Sequence, residues 1–134
     1  MAGYSQTSLL KKLGIKEGFK IILLNIPVDY FSLLGIGKDE VIMAGENKEA
    51  DFIHIFTTGK EQYDRMLPDA KRRLKKDGML WVSWPKKSAK IKTDIDENYI
   101  REEGLNCGLV DVKICAVDEK WSGLKFVYRL KDRK

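Results

Sequence analysis

The chain has 134 residues, with 25 basic and 20 acidic side chains and a formal net charge of +5. This length predicts a single domain over residues 1–134 with one core, because such a chain buries about two-thirds of its unfolded surface. No apolar stretch reaches the roughly 18 residues of a membrane span, and the chain opens without a secretion pattern. We therefore expect a cytoplasmic protein with no membrane partner. The modest positive charge permits nucleic-acid binding without requiring it.

The cysteines and the single histidine predict no metal site. Cys107 and Cys115 form no CxxC pair, and His54 is the only histidine. A zinc site needs thiols or imidazoles grouped at ligand spacing. We expect buried, reduced thiols. His54 lies between Ile53 and Ile55, which favours a packed, hydrogen-bonded core histidine over a general base.

The first half of the sequence predicts short helices alternating with apolar strands. Thr7 is the expected N-cap of a first helix, and Gly14 is its left-handed end. The apolar run at 19–24 predicts a buried strand, which we place at the centre of the sheet. Pro27 fits the first turn of the helix that follows. Further short strands are expected at 41–43 and 52–56.

The direction of the strand at 41–43 is left open by the sequence. Residues 44–50 are too few for an ordinary parallel crossover, which needs about a dozen residues and usually a helix. Either the link runs back extended, or the strand is antiparallel.

The third helix is predicted from a capping box. Thr58 and Glu61 have the required spacing at its start. Pro68 predicts a break or restart within it, and Asp77 with Gly78 is expected to close it. A strand follows at 79–84.

A basic loop at 85–92 separates that strand from a last helix, which is expected to start at Asp94. Beyond this helix, apolar residues alternate with polar ones over 110–116 and again over 124–130, which predicts a β-hairpin. Parallel βαβ units combined with this hairpin give a mixed sheet with one antiparallel strand.

This order of elements resembles the S-adenosylmethionine-dependent methyltransferase fold, with the motif Leu-Lys-x-Asp-Gly-x-Leu-x-Val-Ser over 74–83. The resemblance implies a three-layer, Rossmann-like α/β domain with a mixed, mostly parallel sheet and a C-terminal antiparallel hairpin. It implies an abbreviated version, lacking a helix and a strand between Val41 and Phe52. More closely, residues 80–87, 109–113 and 116–125 resemble a bacterial family of small proteins of unknown function.

The resemblance implies S-adenosylmethionine as a cofactor, but the turn at 25–29 departs from the family pattern. Methyltransferases carry a glycine-rich turn here, where backbone amides approach the cofactor. This turn has no glycine, and Pro27 removes an amide donor, so the cofactor is not favoured. Glu46 is the residue that the resemblance places as a ribose-binding acid.

A ligand site is expected where the parallel strands end, since ligands of open α/β sheets bind there. Trp84 and Trp121 are expected to form two walls, in which case Trp84→Ala would be tolerated. The alternative is that the indoles only cover the end of the sheet. The candidate ligand-binding residues are Asn25, Glu46, Thr57, Trp84, Lys86, Lys87, Asp118 and Trp121.

No catalytic constellation is evident, so the function we predict is a non-catalytic module that binds a small anionic or aromatic ligand, or a protein partner. One alternative is a methyltransferase with an altered cofactor turn. Another is an accessory protein that binds RNA or a partner, with four lysines contacting phosphate. These are Lys86, Lys87, Lys90 and Lys92.

Overall fold

Six strands form one mixed sheet in the computed structural model, which describes residues 8–133. The strand order is β2-β1-β3-β4-β6-β5. Strands β1 to β4 are parallel, and β6 runs antiparallel to both of its neighbours. This confirms the mostly parallel sheet with a C-terminal antiparallel hairpin. The strands are β1 Lys20–Leu24, β2 Ile42–Met43, β3 Ala50–Phe56, β4 Leu74–Pro85, β5 Leu109–Ala116 and β6 Trp121–Tyr128.

Helices cover both faces of the sheet and complete three layers. Side chains on a strand alternate between faces, so each central strand feeds two apolar clusters. Phe52 and Trp81 belong to the cluster under α1 and α2, whereas Ile53 and Val82 belong to the cluster under α3 and α4. The fold class is therefore confirmed. The helices are α1 Leu9–Leu13, α2 Tyr30–Leu34, α3 Lys60–Arg73 and α4 Glu97–Asn106.

Strand β2 is parallel to β1 and pairs only with its first residues, Lys20 with Ile42 and Ile21 with Met43. The strand at 41–43, whose direction the sequence left open, is therefore parallel. The link at 44–49 runs back to β3 without a helix. The prediction that β1 is central was wrong. It lies second from one edge, and β3 and β4 occupy the centre.

Two predictions about α3 were also wrong. Pro68 lies inside one continuous helix, because its missing hydrogen bond is outweighed by Tyr63 and Leu67 before it and Ala70 after it, all buried. The helix ends at Arg73, and 77–78 lie within β4 at a register shift. Gly78 is needed there, since a Cβ would lie 2.9 Å from the Asp51 carbonyl oxygen.

The helix caps differ from the sequence predictions. The N-cap of α3 is Gly59, and the Lys60 amide donates to Asp94 Oδ1 at 2.9 Å. Asp94 therefore caps α3 from outside the helix, and Asp96 caps α4 by accepting from the Tyr99 amide. The sequence pattern could not predict that Asp94 caps α3, because a capping box joins residues of one segment.

At the start of the described chain, Ser8 caps α1 by accepting from the Lys11 amide, and the predicted cap Thr7 lies outside the described residues. Gly14 ends α1 in the left-handed conformation at φ 84°, as predicted. Pro27 precedes α2 rather than opening it, and its carbonyl accepts from the Tyr30 amide. Among residues 8–133 no helix is both long enough and apolar enough to cross a bilayer.

Candidate ligand-binding cleft

The carboxyl ends of β1, β3 and β4 lie at one edge of the sheet, as the parallel pairing requires. The hairpin turn lies at the same edge, because Pro85 at the end of β4 pairs with Trp121 at the start of β6. Within that turn, Asp118 Oδ1 accepts from the amides of Lys120 and Trp121, both at 2.8 Å. Asp118 thus shapes the turn.

The topological switch point lies between β1 and β3, since β1 leads to β2 on one side and the chain returns to β3 on the other. Asn25, in a left-handed conformation at φ 60°, donates from Nδ2 to the Phe56 carbonyl at 2.9 Å. The side chain of Asn25 therefore joins the ends of the two strands. Thr57 is fully buried and exchanges hydrogen bonds with the backbone of Gly59.

Glu46 does not join Asn25 and Thr57. Strand β2 pairs with the start of β1, so the chain leaves the sheet before reaching the carboxyl edge. Arg73, the last residue of α3, donates to the carbonyls of Gly45 and Lys48. Glu46 is exposed beside the amino ends of the strands.

Trp84 and Trp121 lie on opposite faces of the sheet and do not form two walls of one pocket. Trp84 pairs with Ser122, and Trp121 with the next residue, Pro85. Because paired residues share a face and successive residues alternate, the two indoles point apart. Trp84 packs under α3 and α4, whereas Trp121 meets Phe56 edge-on with ring centroids 5.0 Å apart.

A cleft of about 770 Å³ lies where β4 ends, between Trp84 and the segment that leads into α4. It brings together three of the predicted site residues, Trp84, Lys86 and Lys87. The sequence analysis did not predict the opposite wall, which is formed by residues 91–98. The one indication of it in the sequence is that the basic loop at 85–92 must lead back to the start of α4. The remaining lining residues are Pro85, Ile91, Thr93, Asp94, Ile95, Asp96, Glu97, Asn98 and Ser122.

The carboxylates of the cleft are already engaged by the protein. Asp94 accepts from the Lys60 amide and Asp96 from the Tyr99 amide, each at 2.9 Å. Glu97 forms an ion pair with Arg101 at 2.6 Å. Within residues 8–133, by contrast, neither Lys86 nor Lys87 has a carboxylate within ion-pair distance. Among the charged side chains that line the cleft, Lys86 and Lys87 are thus the ones left without a partner in residues 8–133.

His54 is a packed core histidine, as predicted, and its partners were not evident from the sequence. Its Nδ1 is 2.9 Å from Tyr30 Oη, and its Nε2 is 2.7 Å from Ser83 Oγ. Both His54 and Ser83 are fully buried, and burial lowers the pKa of His54 to about 3. Within residues 8–133, these two side chains are therefore closed to a ligand. Among residues 8–133 no group of His, Cys, Asp or Glu side chains is arranged to hold a metal ion.

Residues 37–130 match the family described as "Protein of unknown function (DUF3052)". Among curated proteins, none matches the sequence. Several solved structures share the fold at low identity, which confirms a methyltransferase-like architecture and nothing finer.

Three of these structures illustrate the likeness. The glycopeptide N-methyltransferase MtfA complexed with (S)-adenosyl-L-homocysteine is 8% identical, with a TM-score of 0.61 over 94% of this chain and 91% of that chain. The ribosomal protein L11 methylase of Lactobacillus delbrueckii subsp. bulgaricus is 11% identical, with a TM-score of 0.56 over 90% and 75%. The B. subtilis M1A22 tRNA methyltransferase TrmK is 14% identical, with a TM-score of 0.54 over 94% and 66%.

Proposed function

The chain belongs to the DUF3052 family, and we propose that it is a non-catalytic binding module that holds a small anionic ligand in the cleft at the end of β4. The observation that carries this proposal is that the two lysines of the cleft have no ion-pair partner, whereas its carboxylates do have partners. Its carboxylates are engaged by backbone amides and Arg101, while Lys86 and Lys87 have no ion-pair partner among the described residues. A ligand anion would supply that partner.

The shape and lining of the cleft support a ligand with an apolar or aromatic body. Its volume of about 770 Å³ lies within the range of about 300 to 1,000 Å³ usual for small-molecule sites. Trp84 and Ile95 provide an apolar floor, and Asn98 and Ser122 add polar groups that could orient the ligand. Lys86 is held in place by a 2.8 Å hydrogen bond from its amide to the Lys120 carbonyl.

S-adenosylmethionine, which the fold implies, does not fit the switch point well. The side chain of Asn25 bridges the two strand ends between which the cofactor would lie, because its Nδ2 donates to the Phe56 carbonyl. Pro27 offers no amide hydrogen, and the helix that follows spans only Tyr30–Leu34. We therefore derive no methyl-transfer step.

Calorimetry with S-adenosylmethionine and S-adenosylhomocysteine tests the alternative of a methyltransferase. We expect no binding tighter than the millimolar range, which corresponds to about 4 kcal/mol. Micromolar affinity for either compound would support the methyltransferase alternative in place of the proposed module.

Thermal shift measurements with aromatic carboxylates and nucleoside monophosphates test the binding module itself. We expect at least one of these anions to raise the melting temperature of the wild type, because ligand binding stabilises the native state. The double variant Lys86→Ala/Lys87→Ala should lose that shift, and the matched control Lys38→Ala/Lys48→Ala should keep it. If no anion shifts the wild type, or if the control loses the effect equally, the proposal is wrong.

A further inference from the structure

A β-bulge in the C-terminal hairpin places two lysines directly opposite each other. Asp111 pairs with Phe126, but the next pair is Lys113 with Lys125, so Val112 is an extra residue on β5. In unbroken register Val112 would have faced Lys125. The bulge instead turns Val112 outward, where it is 53% exposed, and aims Lys113 toward Lys125.

These lysines lie on the α1 face of the sheet. Lys125 is also paired with Trp81, whose Nε1 donates to the Leu13 carbonyl at the end of α1. Lys113 Nζ donates to the Lys12 carbonyl at 3.3 Å. The cleft described above is lined by Trp84 and opens on the other face.

Lys113 and Lys125 lie opposite each other, and Lys12 in α1 and Lys16 just after it lie nearby. We call these four the hairpin lysines. Burial and the neighbouring charges of Lys113 and Lys16 lower the pKa of Lys125. Within residues 8–133 none of the four has a carboxylate within ion-pair distance. Residues 1–7 carry no acidic side chain that could supply one.

Such an arrangement works against folding. Like charges directly opposite each other on neighbouring strands are destabilising. Elsewhere the same hairpin compensates its charges, since Asp111 pairs with Arg101 at 3.0 Å. A bound anion would remove the repulsion at the hairpin lysines.

The chemistry of this surface favours phosphates over bases. Trp81, the aromatic residue beside Lys125, is fully buried and offers no face on which a base could stack. Lysine ammonium groups act as point charges, which suit phosphate without reading sequence. We propose that the hairpin lysines contact the phosphodiester backbone of a nucleic-acid duplex without sequence selectivity.

Fluorescence anisotropy with a labelled 20-base-pair DNA duplex tests this proposal. With four phosphate contacts, raising the salt concentration from 50 to 100 mM should weaken wild-type binding about tenfold. At 50 mM salt, Lys113→Gln/Lys125→Gln should bind at least tenfold more weakly than the wild type. Lys16→Gln, an exposed position outside the strands, should bind several-fold more weakly and provides a second test if the double variant folds poorly.

The control Lys38→Gln/Lys48→Gln removes the same charge near β2, at the opposite edge of the sheet. It should change affinity by less than about twofold. Absence of duplex binding at 50 mM salt, equal losses in the control, or unchanged binding by both Lys16→Gln and the double variant would each overturn the proposal. So would competition by poly-glutamate as effective as that of unlabelled duplex, since it would indicate an acidic protein partner instead.

Discussion

Trp84 serves the core as much as the cleft. Its side chain is 7% exposed and packs in the cluster under α3 and α4, which also contains Leu124 of the neighbouring strand. Lys86, two residues further along the chain, is only partly buried and contributes its side chain to the cleft alone. Of these two residues that line the cleft, we therefore expect Trp84 to contribute strongly to the free energy of unfolding and Lys86 to contribute little.

We predict that Trp84→Ala lowers the free energy of unfolding by about 3 to 5 kcal/mol, as for other buried large aromatic residues. Lys86→Ala should change it by less than about 0.5 kcal/mol, because a surface side chain without partners is removed. Urea denaturation followed by far-UV circular dichroism measures both. A loss below about 1 kcal/mol for Trp84→Ala would contradict the core role and restore the tolerance expected from the sequence.

At the scale of elements, the segment before α4 is hydrogen-bonded to the start of α3 through Thr93 and Asp94. Asp94 accepts from the Lys60 amide, and Thr93 Oγ1 donates to the Thr58 carbonyl at 2.6 Å. This segment is also one wall of the cleft. The cap of one helix and the position of the wall are therefore set by the same residues.

We predict that Asp94→Ala destabilises the protein by about 1 kcal/mol, the usual effect of losing an N-cap hydrogen bond. Glu61→Ala, at the position where the sequence predicted a capping box, should cost less than about 0.5 kcal/mol, because that side chain is 94% exposed and, among residues 8–133, its ion pair is with Arg65 alone. Chemical denaturation of the two variants compares them directly. Equal losses would mean that Glu61 shares the capping of α3.

At the scale of the whole molecule, one polar chain ties three elements together. Tyr30 of α2, His54 of β3 and Ser83 of β4 are joined by hydrogen bonds through the imidazole. Phe56 stacks on His54 with ring centroids 4.4 Å apart, which completes its enclosure. The helix layer and the central strands thus share a buried group that must remain neutral.

Acid should weaken the fold through His54. Its pKa is lowered by burial to about 3 in the native state, whereas in the unfolded chain it lies near about 6.5. The unfolded state therefore binds a proton first, so stability is full above about pH 6.5 and falls by about 1.4 kcal/mol per pH unit below it until about pH 3.

The variant His54→Gln, measured by urea denaturation at several pH values between 4 and 7, should lack this part of the slope. The carboxylates contribute equally to both proteins and cancel in the difference. Parallel stability curves for the wild type and the variant would show that His54 is not the titrating group.

The sequence by itself determined the order of strands and helices and the fold class. Apolar runs such as 52–56 and the alternation over 124–130 are local signals. The pattern of apolar residues along a short segment depends directly on whether one or both faces of the strand are buried. The end of β4 as a candidate binding place was also predicted from the sequence, since parallel strands must end at one edge. Lys86 and Lys87 were predicted in this way, and both line the cleft.

Only the tertiary structure decided which side chains meet. Trp84 and Trp121 are separated because the register pairs them one residue apart. Glu46 lies near the amino ends of the strands, away from the other predicted site residues, because β2 pairs with the start of β1. Asp94 caps α3 from another segment, and the bulge at Val112 sets Lys113 against Lys125. Each of these outcomes depends on pairing between segments distant in the chain, where a shift of one residue moves a side chain to the other face.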